Sequence, residues 1–193
     1  MKAFRRATGR VAVLDRADVD TDQIIPKQFL KRIEQTGYGE FLFYDWRQDA
    51  AFELNRPEYV GATILVTGRN FGCGSSREHA AWALEDYGFE VIIAPSFGDI
   101  FAANSAQIGL ALIALPADQV RELMGARELT VDLEAQTISD PSGRTIPFDF
   151  DAFRRHRLLN GLDDISLTLE YEPAITAFET GRRAPVDTTA LPA

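Results

Sequence analysis

One cysteine, Cys73, is all the thiol the 193 residues hold. It excludes an internal disulfide, and alone it holds neither a zinc ion nor an iron–sulfur cluster, each of which takes several donors. Long apolar runs are missing too. None reaches the length of a membrane span, and the opening Met1-Lys2-Ala3-Phe4-Arg5-Arg6 has no signal-peptide core. The expectation is a cytoplasmic protein outside the membrane. Positive charge is short as well: the net charge of −9 argues against a nucleic-acid partner, whose phosphates such a surface repels. The shortage is uneven. Residues 1–50 carry nine Lys or Arg against eight acids, while residues 51–193 carry eleven against twenty-one. The cations that would help hold an anion therefore lie near the amino-terminal motif. Internal repeats and low-complexity segments are absent.

What is present is ordinary globular composition, 46% hydrophobic and 25% charged. The length suits one domain with a full core. Ala62–Thr67, Val91–Ala94 and Leu110–Ala114 are short apolar runs separated by helical patterns over 76–87 and 97–108, the alternation of crossovers on a parallel sheet. Gly88 and Gly109 stand where left-handed helix caps belong, and Ser96 and Asp99 read as the cap of the second helix. Phe4–Thr8 and Val11–Leu14, on either side of Gly9-Arg10, read as a hairpin or two short strands. Asp15–Asp22 reads as a carboxylate-bearing loop that lacks the Gly and distal Glu of a calcium loop. Pro26 opens a helix to about Ile33, and Arg47–Pro57 a short polar one. Between them, Tyr38, Phe41, Phe43, Tyr44 and Trp46 form either a core corner or a face that meets another protein chain. Beyond Pro116 a short helix over 118–124 precedes strands at 129–133, 137–139 and 145–150, with Asp140-Pro141-Ser142-Gly143 as a turn. Asp151–Leu159 is amphipathic and carries His156 on a solvated face. A last helix over 165–180 is interrupted near Pro173, and the tail from 181 frays, leaving 1–180 as one domain.

The stretch Gly68-Arg69-Asn70-Phe71-Gly72-Cys73-Gly74-Ser75-Ser76-Arg77-Glu78-His79 reads as strand, glycine loop, helix. A helix start has unpaired N–H groups and the positive end of the macrodipole, so it welcomes a carboxylate or phosphate. Ser75 and Glu78 stand at capping-box spacing, which puts the helix start at the serine pair. Arg77 adds a planar, two-pronged cation. Two readings fit these residues: an anion site, or a capped helix with a glycine turn before it. Two nucleotide motifs do not fit, because a P-loop needs Lys where Ser75 stands and a dinucleotide fingerprint needs Gly where Arg77 stands.

The run Gly72-x-Gly74-Ser75-Ser76-Arg77-Glu78-His79-Ala80-Ala81 resembles the swivel-domain signature of the aconitase superfamily, and in detail that of the small subunits of 3-isopropylmalate dehydratases. A second match lies at Asp18-Val19-Asp20-Thr21-Asp22-Gln23-Ile24-Ile25-Pro26-Lys27-Gln28-Phe29-Leu30. A third lies at Ala94-Pro95-Ser96-Phe97-Gly98-Asp99-Ile100-Phe101 through Asn104. The three occur in the family's order and the likeness covers most of the chain. It implies an α/β swivelling domain of aconitase type, with a mostly parallel central sheet, flanking helices and a smaller second β layer. It implies a hydro-lyase of leucine biosynthesis that moves a hydroxyl between adjacent carbons by losing and regaining water. It implies no cofactor on this chain, a [4Fe–4S] cluster on a partner large subunit in a hetero-oligomer, and a small dicarboxylate substrate.

By the same resemblance Ser75 is the base, Arg77 clamps a substrate carboxylate, Gly74 and Ser76 donate hydrogen bonds, and Asp22 orients active-site groups. A serine that caps a helix has its hydroxyl engaged, so the base role requires Ser75 to turn toward substrate. His79, one turn on, reads as structural. Substrate choice falls near residues 23–33. An apolar lining from Ile24 and Ile25 would favour an isopropyl group by about 0.8 kcal/mol per CH₂. Lys27, Lys31 and Arg32 point the other way, to a further carboxylate. Homoaconitate and citraconate or methylmalate substrates therefore stay open, as does a module that binds an organic acid without chemistry.

Overall fold

The computed structural model describes residues 1–31, 36–75 and 77–181. Four parallel strands form its centre: β1 (Arg6–Leu14), β2 (Ile64–Thr67), β3 (Val91–Ala94) and β4 (Ala111–Ala114). Three more, β5 (Glu128–Asp132), β6 (Thr137–Ser139) and β7 (Thr145–Pro147), form an antiparallel meander. All seven belong to one sheet in the order β4-β3-β2-β1-β5-β6-β7. The smaller β unit is thus hydrogen-bonded to the parallel one, and β1 joins them. Its carboxyl half runs parallel to β2, from Val11 opposite Ile64 to Leu14 opposite Thr67. Its amino half runs antiparallel to β5, from Arg6 opposite Asp132 to Arg10 opposite Glu128.

That makes β1 one strand, against the expected break at Gly9-Arg10. The glycine serves a close approach there and not a turn: a Cβ on Gly9 would lie 2.0 Å from Thr63 Oγ1.

Every residue of β2 and β3 is buried, as in a parallel sheet covered on both faces. Alternate residues feed two apolar cores. Ala12, Leu14, Leu65 and Ile92 face Ala80, Ala81 and Leu84 of α3 (Glu78–Tyr87) and Phe101 of α4 (Asp99–Ile108). Val11, Ile64, Val66, Val91 and Ile93 face Val120 and Leu123 of helix Ala117–Leu123 and Leu158 of helix Ala152–Asn160. Gly88 and Gly109 end α3 and α4 at φ 112° and 98°, as their sequence positions lead one to expect.

The helix starts differ from expectation. Helix α3 begins at Glu78 with Arg77 as N-cap and no side-chain cap bond, and α4 begins at Asp99 after an uncapped Gly98. Neither Ser75 nor Ser96 caps a helix. The polar helix expected over 47–57 is replaced by one turn, Tyr44–Arg47, and two 3-10 turns, Glu53–Asn55 and Pro57–Tyr59. The carboxylate loop contains a helical turn, Thr21–Ile24, and the helix expected from Pro26 is a 3-10 segment, Lys27–Lys31. Arg32 and Ile33 lie outside the described residues. The final helix is broken as expected near Pro173, into Asp164–Leu169 and Glu172–Gly181. The tail beyond Gly181 lies outside the described residues. Among the described residues no helix is long and apolar enough to cross a membrane.

Candidate functional site

The three sequence motifs leave the carboxyl ends of β1, β2 and β3 and stay side by side. Asp18 N–H donates to the Arg69 carbonyl at 2.9 Å, Gly72 N–H to Val19 at 2.8 Å, and Thr21 N–H to Cys73 at 3.0 Å. On the other side Phe71 N–H donates to the Ser96 carbonyl at 3.1 Å and Gly98 N–H to Phe71 at 2.9 Å. Asp20 with Cys73, and Phe71 with Phe97, form parallel bridges. The glycine loop is therefore the middle ply of a three-segment braid that prolongs the sheet in its own strand order. Open α/β sheets bind ligands at this edge.

Small residues let the plies close. A Cβ on Gly68 would lie 2.4 Å from the Arg16 carbonyl oxygen, and one on Gly98 2.5 Å from that of Gly72. Gly74, at φ 85°, packs so tightly on Asp20 that a Cβ would lie 1.8 Å from a carboxylate oxygen. Asp20 in turn caps the helical turn: its Oδ1 accepts the Asp22 N–H at 2.6 Å while Gln23 Oε1 accepts the Asp20 N–H at 2.9 Å. Ser96 uses its hydroxyl to accept the Asn70 N–H at 2.9 Å. Asp18 accepts from Asn70 Nδ2 at 2.8 Å and pairs Arg69 at 2.9 Å.

Within this frame Gly74 and Ser75 are exposed. The Ser75 carbonyl accepts the Thr21 hydroxyl at 2.9 Å. Among the described residues nothing bonds to the Ser75 hydroxyl, so the competition between cap and base that the sequence raises does not arise. Arg77 is a quarter exposed and its Nη1 donates to Asp22 Oδ1. Among the described residues this is its one bond, and Nε and Nη2 keep donors for a ligand. Ser76 lies outside the described residues. The arrangement places a hydroxyl and a guanidinium beside the start of α3, where among the described residues the Glu78 and His79 N–H groups have no backbone partner, a set suited to a carboxylate.

The specificity candidates divide. Ile24 and Ile25 are fully buried, packed in the core with Leu42 and Phe43, so neither side chain lines the open edge. Lys27 and Lys31 are exposed. The aromatic cluster is a core corner in part: Tyr38 and Phe43 are fully buried, and Phe29 stacks on Phe41 at 4.1 Å. His79 packs against Tyr38 and Trp82, with ring centroids 5.2 and 4.7 Å apart. Burial depresses its pKa, helped by Arg77 and opposed by Glu78.

Cys73 is half-buried, and burial, with Asp20 and Asp18 nearby, pushes its thiol up. A lone, protonated thiol does not fit the thiolate set of an iron–sulfur cluster. Among the described residues no group of three or more His, Cys, Asp or Glu is arranged to hold a metal. Sequence reasoning gave no role to Asp20 or Thr21. Asp20 has a signal, since Asp20-x-x-Gln23 has the same capping-box spacing as Ser75 and Glu78. Thr21 has none.

Three family models match in succession: the aconitase C-terminal domain over residues 1–118, LeuD_N over 121–152, and, over 164–184, the C-terminal domain of the 3-isopropylmalate dehydratase small subunit. The chain is 57% identical to the 3-isopropylmalate dehydratase small subunit of Acidobacterium capsulatum, over 93% of this chain and 90% of that one. It is 55% identical to the protein of the same name from Bacillus subtilis, over 94% and 97%. A crystal structure titled 3-isopropylmalate dehydratase, from Methanocaldococcus jannaschii, superposes with a TM-score of 0.67 at 27% identity, covering 90% of this chain and 99% of that one.

Proposed function

We propose, since the chain belongs to the 3-isopropylmalate dehydratase small-subunit family, that it is the small subunit of a hydro-lyase of leucine biosynthesis. The reaction interconverts 2-isopropylmalate and 3-isopropylmalate through isopropylmaleate and proceeds only when a large subunit joins this chain. The observation that carries this reading is the braid, which holds a Ser75 hydroxyl unengaged among the described residues and an Asp22-braced Arg77 at one exposed edge.

Elimination removes a proton from a carbon beside a carboxylate. Arg77 binds that carboxylate through Nε and Nη2 while Asp22 holds the guanidinium in place. Ser75 Oγ takes the proton, and the C–H electron pair becomes the new double bond. A serine alkoxide is a poor base to keep at neutral pH, so the Arg77 cation and the helix-start N–H groups lower its cost. In the return direction the Ser75 hydroxyl gives the proton back. The donors of this chain do not fit a [4Fe–4S] cluster, and the Lewis acid that the departing hydroxyl needs is supplied by the large subunit.

The exposed Lys27 and Lys31 favour one competing reading, a sister hydro-lyase whose substrate carries a further carboxylate. Hydration rates on isopropylmaleate against homoaconitate, which carries the third carboxylate, separate the two. The test of the main reading is loss of isopropylmaleate absorbance with this chain alone and with an anaerobically prepared, cluster-bearing large subunit. Turnover in the mixture only supports it. No turnover, with the cluster intact, overturns it.

A further inference from the structure

Ser75 stands outside any regular element. It follows Gly74, whose φ of 85° lies in the region open to glycine, and it precedes α3 by three residues, so no helical bond fixes it. One side chain does hold it. Thr21 is fully buried, its hydroxyl donates to the Ser75 carbonyl at 2.9 Å, and its N–H donates to the Cys73 carbonyl at 3.0 Å. The carbonyls of both residues that flank Gly74 are thereby tied to a single residue. That residue is itself fixed: it opens the helical turn that Asp20 caps, and the Asp20 carboxylate lies against Gly74. The Ser96 hydroxyl, by contrast, accepts from the Asn70 N–H and makes no bond to Ser75.

From this geometry we infer that Thr21 is the positioning residue of Ser75: its buried hydroxyl sets the peptide orientation that aims the Ser75 side chain at substrate. The inference rests on the reading of Ser75 as base. Thr21 never touches substrate, so its loss slows the proton transfer and leaves carboxylate binding by Arg77 in place. A displacement of about 1 Å at a reacting group costs on the order of a hundredfold in rate.

Two substitutions separate hydroxyl from packing. Thr21→Val keeps the shape and loses the donor, while Thr21→Ser keeps the donor and loses a methyl. In the complex reconstituted with the large subunit, Thr21→Val is expected to lower kcat for isopropylmaleate about 10- to 100-fold with KM changed less than about threefold. Thr21→Ser is expected to restore most of kcat. Thermal melts and gel filtration of both complexes establish that folding and assembly are equal. In a Ser75→Ala background, Thr21→Val should add no further loss, because the two residues act as one unit. Wild-type turnover in Thr21→Val, equal loss in Thr21→Ser, or full additivity with Ser75→Ala would each overturn the inference while the base reading stands. If Ser75→Ala itself keeps wild-type turnover, the base reading fails, and the positioning role falls with it.

Discussion

The two halves that share β1 end their strands in opposite ways. In the antiparallel half the β6–β7 connection closes its backbone on its own residues. Asp140 Oδ1 accepts the Ser142 and Arg144 N–H groups, while Asp151 and Asp163 cap the helices that begin one residue after each. In the parallel half the strand exits close on one another: β1's exit accepts from and donates to the glycine loop, which is bonded in turn to the segment after β3. A turn that satisfies its own backbone has nothing left for a ligand. A braid that satisfies its inner bonds across segments leaves one outer edge free, and Ser75, Arg77 and the α3 start stand there.

Paired glycine substitutions test that contrast most strongly. Gly74 and Gly143 both have positive φ, but a Cβ on Gly74 meets the Asp20 carboxylate at 1.8 Å and one on Gly143 meets nothing within 4 Å. Gly74→Ala is expected to lower turnover of the complex by about a hundredfold or more, with strain of about 1–3 kcal/mol. Gly143→Ala is expected to cost about 1 kcal/mol in denaturant melts and leave turnover unchanged. Equal effects would erase the distinction between braid and turn. Arg77→Lys comes next. It keeps the charge and loses the fork, so kcat/KM is expected to fall about 10- to 100-fold, mostly through KM.

The smallest effect is a pH dependence. Burial holds the His79 pKa below its ordinary 6.5, so in that interval the unfolded chain binds a proton that the folded chain does not. Stability is full above pH 6.5 and falls as the pH drops toward the folded pKa. His79→Phe keeps an aromatic ring against Tyr38 and Trp82 and is expected to flatten the fall in melting temperature between pH 7.5 and 5. An unchanged slope would assign that loss to other groups.

Much of this architecture was legible from residue pattern. The β-branched runs that became β2 and β3, the terminal glycines 88 and 109, and the turn at Asp140 each carry a local physical signal. What escaped was set by contacts between distant segments. Gly9 looked like a turn because Thr63, which needs its missing Cβ, is 54 residues away. The α3 start looked like Ser75 because capping spacing is a local rule, and the tie that holds Ser75 instead comes from Thr21. Ile24 and Ile25 looked like a substrate lining because their motif reaches the edge, while their side chains turn into the core. Local chemistry thus marked the loop, and long-range packing decided which of its groups are free.

The most direct measurement is steady-state hydration of isopropylmaleate by the reconstituted complex carrying Ser75→Ala. The expected result is a kcat lower by about 10²- to 10⁴-fold with KM within a few-fold of wild type, the loss of a base from an intact carboxylate site. A Ser75→Ala complex that turns over within twofold of wild type would contradict the assignment of the proton transfer to this edge.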